Sequence, residues 1–160
     1  MEGFAGAPSF PMSFVVPKGF SQPTAENGTR GYSTKGTSGA AAVFLVDTLT
    51  GVRASDLPDD LAAHLRTTRD ELTVTNVCTT SVGGQPAQTF TLAQKPGTST
   101  YDLFCAEGGS CYKLLEFKPM DVTAVRTGRG LVLFWVEYAP GDRAEVQEPM
   151  RSWLSTVRWE

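Results

Sequence analysis

Hydrophobic and polar positions follow three patterns along this chain, and each predicts an element. Short apolar runs bounded by turn residues read as buried strands. Met12–Val16 is one, stopped by Pro17-Lys18-Gly19, and Ala40–Asp47, carrying Val43, Phe44, Leu45 and Val46, is a second. Leu131–Tyr138 is the most apolar, interrupted only by Glu137, and such a run belongs in a central strand covered on both faces. Alternation with period two marks half-buried strands. Glu71–Thr80 sets Leu72, Val74, Asn76 and Cys78 against Thr73, Thr75, Val77 and Thr79, and its threonine and valine density favours a sheet. Ala87–Leu92 sets Ala87, Thr89 and Thr91 against Gln88, Phe90 and Leu92, and Arg30–Lys35 reads as a strand with Tyr32 inward.

Helical spacing occurs twice. Leu57, Leu61 and Leu65 form one apolar stripe, predicting a helix over Leu57–Asp70. Ser55 or Asp56 would cap it, Pro58, Asp59 and Asp60 suit its first turn, and Arg66 and Arg69 its last. Val146, Met150, Trp153, Leu154 and Val157 mark a C-terminal helix. Pro149 lacks a backbone donor and clashes with the preceding turn, which predicts a break near Glu148 and a main helix starting at Pro149. Between these elements lie a flexible arm over residues 1–10, polar loops at Ser21–Asn27 and Thr48–Ala54, and turns at Lys35–Gly39, Val82–Gln85, Lys95–Gly97 and Pro140–Asp142. Lys118–Arg129 reads as a loop with a helical turn at Asp121–Val125. Residues 11–160 make a single domain.

Composition narrows the classes. The 160 residues are 41% hydrophobic and 19% charged, with a net charge of -3, which is globular. Basic residues are scattered, so nucleic-acid binding has no electrostatic footprint. No stretch is apolar enough to span a bilayer. Residues 1–10 lack the pattern of a signal peptide, so a membrane link would run only through an anchor outside this sequence.

Three cysteines are present. Cys105 and Cys111 flank Ala-Glu-Gly-Gly-Ser, and a hairpin over Tyr101–Phe117 would bring them face to face, near the roughly 5.5 Å between Cα atoms that a disulfide prefers. They are either a disulfide, which implies an oxidising compartment, or two small buried apolar residues. Cys78 is left over. No second Cys/His pair exists to make a zinc site.

Three stretches, SFVVPKGF, DLPDDLAAHLRTTRDELTVTNVCTTSVGGQPAQTFTL and LVLFWVEYAPGDRAEVQEPMRSWLSTVRW, together resemble the PsbP-like fold. That superfamily includes the Ran-binding Mog family and the LpqN-type and DcrB-type bacterial proteins, and this chain looks like an actinobacterial member. The resemblance implies an α+β fold, an antiparallel β-sheet flanked by helices as an α/β/α sandwich. It also implies an accessory or binding role without catalysis, often in exported or lipid-anchored proteins. The extra length between Lys113 and Gly130 departs from the pattern, as an inserted strand pair or a decorated loop.

Candidate chemistry is sparse. His64, the one histidine, borders the first helix's stripe and has no Gly-x-Ser-x-Gly elbow to serve; a half-buried histidine with one hydrogen bond accounts for it. Asp59 and Asp60 are adjacent and so diverge by about 100° on a helix, which suits the helix dipole better than paired acid–base work. Gly83-Gly84-Gln85 is a hairpin turn before it is a peptide-release tripeptide. Asn27-Gly28-Thr29 is a formal sequon. Trp135, Tyr138, Trp153 and Trp159 gather near the C-terminus, as sheet–helix core or as the lining of a pocket, so Trp135, Tyr138 and Trp153 are the binding candidates. The expectation is a non-enzymatic accessory or binding domain, exported or surface-attached, with a protein partner, no cofactor and no metal. The alternative is a small-molecule or lipid carrier, or a small enzyme, with a pocket between sheet and C-terminal helix. A cytoplasmic partner-binding protein is a third possibility.

Overall fold

The most apolar segment becomes the middle of the sheet. A computed structural model describes residues 2–3, 12–21, 24–26, 29–33, 39–99 and 101–160. Its elements are β1 (Glu2–Gly3), β2 (Met12–Phe14), β3 (Thr24–Glu26), β4 (Thr29–Ser33), β5 (Ala40–Leu49), β6 (Val52–Arg53), a 3₁₀ turn (Ala54–Asp56), α1 (Leu61–Thr68), β7 (Leu72–Val82), β8 (Gln85–Gln94), β9 (Asp102–Ala106), β10 (Cys111–Lys113), β11 (Met120–Thr127), β12 (Gly130–Glu137), α2 (Arg143–Ser155) and β13 (Arg158–Trp159). The main antiparallel sheet runs β10-β9-β5-β12-β11-β8-β7, with β3, β4 and β6 attached around β5, and β1-β2-β13 form a small second sheet. The fold is α+β, with helices on opposite faces of the sheet.

β12 lies between β5 and β11, and its alternate residues feed two cores. Leu131, Leu133 and Trp135 enter the one beneath α1. Val132, Phe134, Val136 and Tyr138 enter the one beneath α2. This is what an apolar run without polar alternation requires.

Several local expectations are corrected. Lys118–Arg129 is no loop: β11 pairs with β12 on one side and β8 on the other. Met120, Val122 and Ala124 do alternate toward the α1-side core, but Asp121 and Arg126 disguise the period. Thr48–Ala54 is a hairpin, turning at Thr50 and Gly51 with φ of 52° and 82°. Ser21–Asn27 is no plain loop, because β3 pairs with β4. α1 begins at Leu61, not Leu57. Asp60 is its cap, its Oδ1 accepting the Ala63 N–H at 2.9 Å, and a residue in that position takes an orphan donor that Ser55 or Asp56 could not reach.

α2 is continuous through Pro149, so the predicted break near Glu148 does not occur. An interior proline costs about 3 kcal/mol. Val146 on one side of it, with Met150 and Trp153 on the other, are all buried, and their packing offsets that cost. The proline also has a seat: its Cγ lies 3.8 Å from where a Cβ on Gly19 would stand. Gly19 has φ of +102° in the turn that brings the Phe20 N–H to the Pro17 carbonyl. The turn delivers Phe20 edge-on to Trp153 at 5.6 Å.

Asn76 breaks the alternation of β7. It has φ of 52°, and Asn76 and Val77 together oppose one residue of β8. Such a bulge reverses which residues face which side. Leu72 and Val74 belong to the α1-side core, whereas Val82 belongs to the α2-side core, so the single face expected for Leu72, Val74, Asn76 and Cys78 is split. Gly83 and Gly84, with φ of 56° and 84°, close the β7–β8 hairpin as a two-residue turn of the kind read from the sequence. Glu2–Gly3 pair with Ser13 and Phe14. The rest of the expected N-terminal arm, the 34–38 part of the Lys35–Gly39 turn and the sequon's Asn27 and Gly28 lie outside the described residues.

Candidate functional site

Trp153 decides where the α2 face is covered and where it stays open. The indole is fully buried and is met edge-on by Phe14, Phe20, Tyr32 and Phe134 at centroid distances of 5.2–5.6 Å. This anchors α2 over β2, β4 and β12. The neighbouring face of β7, β8 and β11 carries short polar side chains, among them Thr80, Thr89, Thr91 and Thr123, which cannot reach up to a helix. A groove of about 590 Å³ is left between these strands and the flank of α2 formed by Arg143, Gln147, Met150, Arg151 and Leu154.

A polar network makes the inner end of the groove. Asp121 Oδ1 accepts from the Thr91 hydroxyl at 2.6 Å and from the Tyr138 phenol at 3.0 Å. Arg143 Nε donates to Asp121 Oδ2 at 3.1 Å, and its Nη2 to Thr91 Oγ1 at 3.3 Å. Asn76 Nδ2 donates to the same Thr91 oxygen at 3.1 Å, so the bulge residue is tied into the site. Burial, reinforced by the Asp121 carboxylate, pushes the Tyr138 phenol up to about 12. Asp121 accepts from three side chains, which makes it the hub that joins β8, β11 and the start of α2.

None of the binding candidates lines this groove. Trp135 faces the opposite side of the sheet, 5.4 Å from the Tyr112 ring, which itself stacks on Phe44 at 5.1 Å. Trp153 is core, and Tyr138 reaches the groove only through Asp121. Trp159 covers the β7–β8 turn, its indole N–H donating to the Val82 carbonyl at 2.7 Å. The aromatic group seen in the sequence is therefore split by the sheet, because Trp135 and Tyr138 are an odd number of residues apart along an extended segment and point to opposite faces. Asp121, Arg143, Thr91 and Asn76 were missed. A cation in the first turn of a helix runs against the helix dipole, and Arg143 there was the signal that a carboxylate partner existed.

Cys105 and Cys111 form a disulfide across the β9–β10 hairpin, with Cα atoms 4.1 Å apart. The Ala106 N–H bonds the Ser110 carbonyl, so the cysteines occupy the adjacent non-hydrogen-bonded pair, where strands approach most closely. Cys78 is free and exposed, on the groove's outer rim. Asp102 with Cys105 and Cys111 is the close set of potential metal donors among the described residues, but both sulfurs are taken by the disulfide.

The remaining polar candidates belong to the α1 side. Asp59 pairs with Arg126 at 3.0 Å, and the Arg126 guanidinium also bonds the Leu57 carbonyl. Asp60 caps α1 and accepts from Gln88 Nε2. The Ala63 N–H and then the Gln88 amide hold its carboxyl below the usual carboxylate range. The two aspartates thus tether and cap, around a smaller groove of about 440 Å³. His64 is half-buried on α1, and its Nε2 finds no partner among the described residues, so the single hydrogen bond expected there is not made by that atom.

No protein-family model and no curated protein matches the chain. Among solved structures, it is similar to the solution structure of cyanobacterial PsbP (CyanoP) from Synechocystis sp. PCC 6803. That match has 12% identity and a TM-score of 0.45, covering 100% of this chain and 99% of the other.

Proposed function

We propose that this is a non-catalytic accessory or binding domain that takes an extended polar segment of a protein partner in the groove between α2 and β7. The supporting observation is the groove itself: an open trough floored by threonine hydroxyls, with Arg143 and Arg151 and the apolar Met150 and Leu154 along its helical wall. Convergent polar groups beside a few apolar anchors are what fixes a ligand's orientation. The threonine hydroxyls and the guanidinium groups of Arg143 and Arg151 would gain no partner from an acyl chain, which supports the protein-contact role over the lipid-carrier alternative. A small polar ligand would use the same trough. The engagement of Asp121 by three side chains of the protein itself favours the non-catalytic reading.

An exported or surface-attached location is part of the proposal, supported by the Cys105–Cys111 disulfide. Titration of the native protein without reductant should give one reactive thiol, from Cys78; three would overturn an oxidising location. For binding, titration of labelled protein with extended peptides, acidic and basic, should move the amide resonances of Asn76, Thr89 and Thr91 most. Shifts centred on the β9–β10 hairpin or on α1 would overturn the groove as the contact surface, and saturation by small polar metabolites alone would favour the carrier.

A further inference from the structure

The groove is open at one end because β7 is the last strand of the sheet. Sheets protect such edges with short strands, charges, prolines or bulges. The opposite end follows that rule: β10 is three residues long and ends in Lys113. β7 does not. It spans eleven residues, LTVTNVCTTSV, with neither a charge nor a proline. Its one device is the bulge at Asn76, and beyond it Cys78 to Val82 runs in regular register against Thr89 to Gln85.

Backbone direction along this stretch follows from the hairpin. A two-residue turn closes on a hydrogen-bonded pair, here Val82 with Gln85, and pairs then alternate. Cys78, Thr80 and Val82 therefore turn their N–H and C=O groups toward β8. Thr79 and Ser81 turn theirs outward, where no described residue bonds them. Pro86, opposite Ser81, fits this phase, since it has no N–H to give to β7.

We propose that a second copy of this chain pairs antiparallel with this edge, on a two-fold axis at Thr80. The proposal rests on the groove assignment for its functional meaning, though not for the assembly itself. In this register Thr79 faces the partner's Ser81, and Ser81 the partner's Thr79, each pair exchanging both of its main-chain bonds. Cys78 faces the partner's Val82. An uncharged strand suits a copy of itself because the two-fold brings no like charges together. The register also uses only residues beyond the bulge; centring on Cys78 would set Asn76 against Thr80 and break the ladder. The axis is perpendicular to the sheet, so both α2 helices stand on the same side, and the two open grooves meet over a continuous floor as one trough. Strand pairing alone buries less than the roughly 1,200–2,000 Å² of a standard interface, so the dimer dissociates at low micromolar concentration.

Sedimentation of the whole chain under reductant, from low to several hundred micromolar, tests this. The mass should climb toward twice 17.2 kDa. Thr79→Pro removes an outward N–H and none that β8 uses; it should keep the wild-type melting curve and remain monomeric throughout. A wild type that stays monomeric, or a Thr79→Pro variant that still dimerises, overturns the proposal. Should Thr79→Pro fail to fold, a Cys78→Ser, Thr80→Cys variant decides. Glutathione disulfide should oxidise the facing thiols to an intermolecular disulfide, releasing two reduced glutathiones, whereas wild-type Cys78 should cross-link at least ten-fold more slowly. Equal or absent cross-linking at position 80 overturns the pairing. Peptide titration of Thr79→Pro keeps the two proposals apart: groove shifts in a monomer leave the binding function standing while the dimer falls.

Discussion

Trp135 and Trp153 sit on opposite faces of one sheet and are buried by different means. Trp153 is enclosed by a helix and four aromatic rings brought from β2, β4, β12 and the Gly19 turn. Trp135 lies beneath Tyr112 of the β9–β10 hairpin, whose strands are tied by the Cys105–Cys111 disulfide. The α1 face is therefore closed by several light elements and a covalent tie. The α2 face is closed at one end by a single heavy anchor and left open at the other. A helix pinned by one large residue covers what lies under that residue, and the groove begins where its short polar neighbours take over.

Substitution at the two tryptophans should give the largest effects and expose this asymmetry. Trp153→Ala should cost about 5 kcal/mol and Trp135→Ala about 3 kcal/mol in urea unfolding, because a hairpin can settle into a vacated space more readily than a ring of fixed aromatic side chains. Equal costs would mean that the hairpin is as rigid as the helix. Next, replacing both Cys105 and Cys111 by serine should cost about 2 kcal/mol. Amide exchange should accelerate in β9, β10 and the strand around Trp135, with the α2 side unchanged; acceleration on both faces would show that the hairpin supports the whole sheet.

Asp121→Asn should destabilise by about 2 kcal/mol, the range for a hydrogen bond to a charged group, and should loosen the first turn of α2 through Arg143. Tyr138 reports on the same network. Its phenol, like that of Tyr101 on the other face, is pushed up to about 12, by burial first and then by a neighbouring carboxylate. A phenol raised in the folded state contributes stability that is whole below its unfolded pKa of about 10 and is lost as pH climbs through the folded value. Stability should thus fall at alkaline pH. In absorbance titration, Asp121→Asn should lower the Tyr138 transition and leave the Tyr101 transition in place; movement of both would couple the faces. The smallest effect is expected at the bulge: Asn76→Ala should cost about 1 kcal/mol for a non-glycine residue at positive φ, read in the same unfolding assay.

The patterns that set the architecture were legible where a residue's environment is decided by its near neighbours. The unbroken run of Leu131–Tyr138, the Gly83-Gly84 turn and the helical pair Leu61 and Leu65 kept the roles their spacing gave them, whereas Leu57 is buried but precedes the helix. What was not legible depends on partners distant in sequence. Met120–Thr127 reads as a loop until β8 and β12 absorb it, and Pro149 reads as a break until Trp153 and Gly19 are seen holding the helix through it. The candidate site was hidden for the same reason. Asp121 and Arg143 lie in different elements, and the bulge at Asn76 decides which face of β7 meets them. Strand parity, by contrast, already set Trp135 and Tyr138 on opposite faces and so forbade them from sharing a pocket.

The open edge of β7 is the feature on which the groove and the assembly both depend, and amide hydrogen exchange at low micromolar concentration measures it directly. The Thr79 and Ser81 amides should exchange freely while those of Cys78, Thr80 and Val82 stay protected, since only the latter bond β8. Uniform protection from Cys78 to Val82 in the monomer would show that the edge is already covered, and would contradict the account.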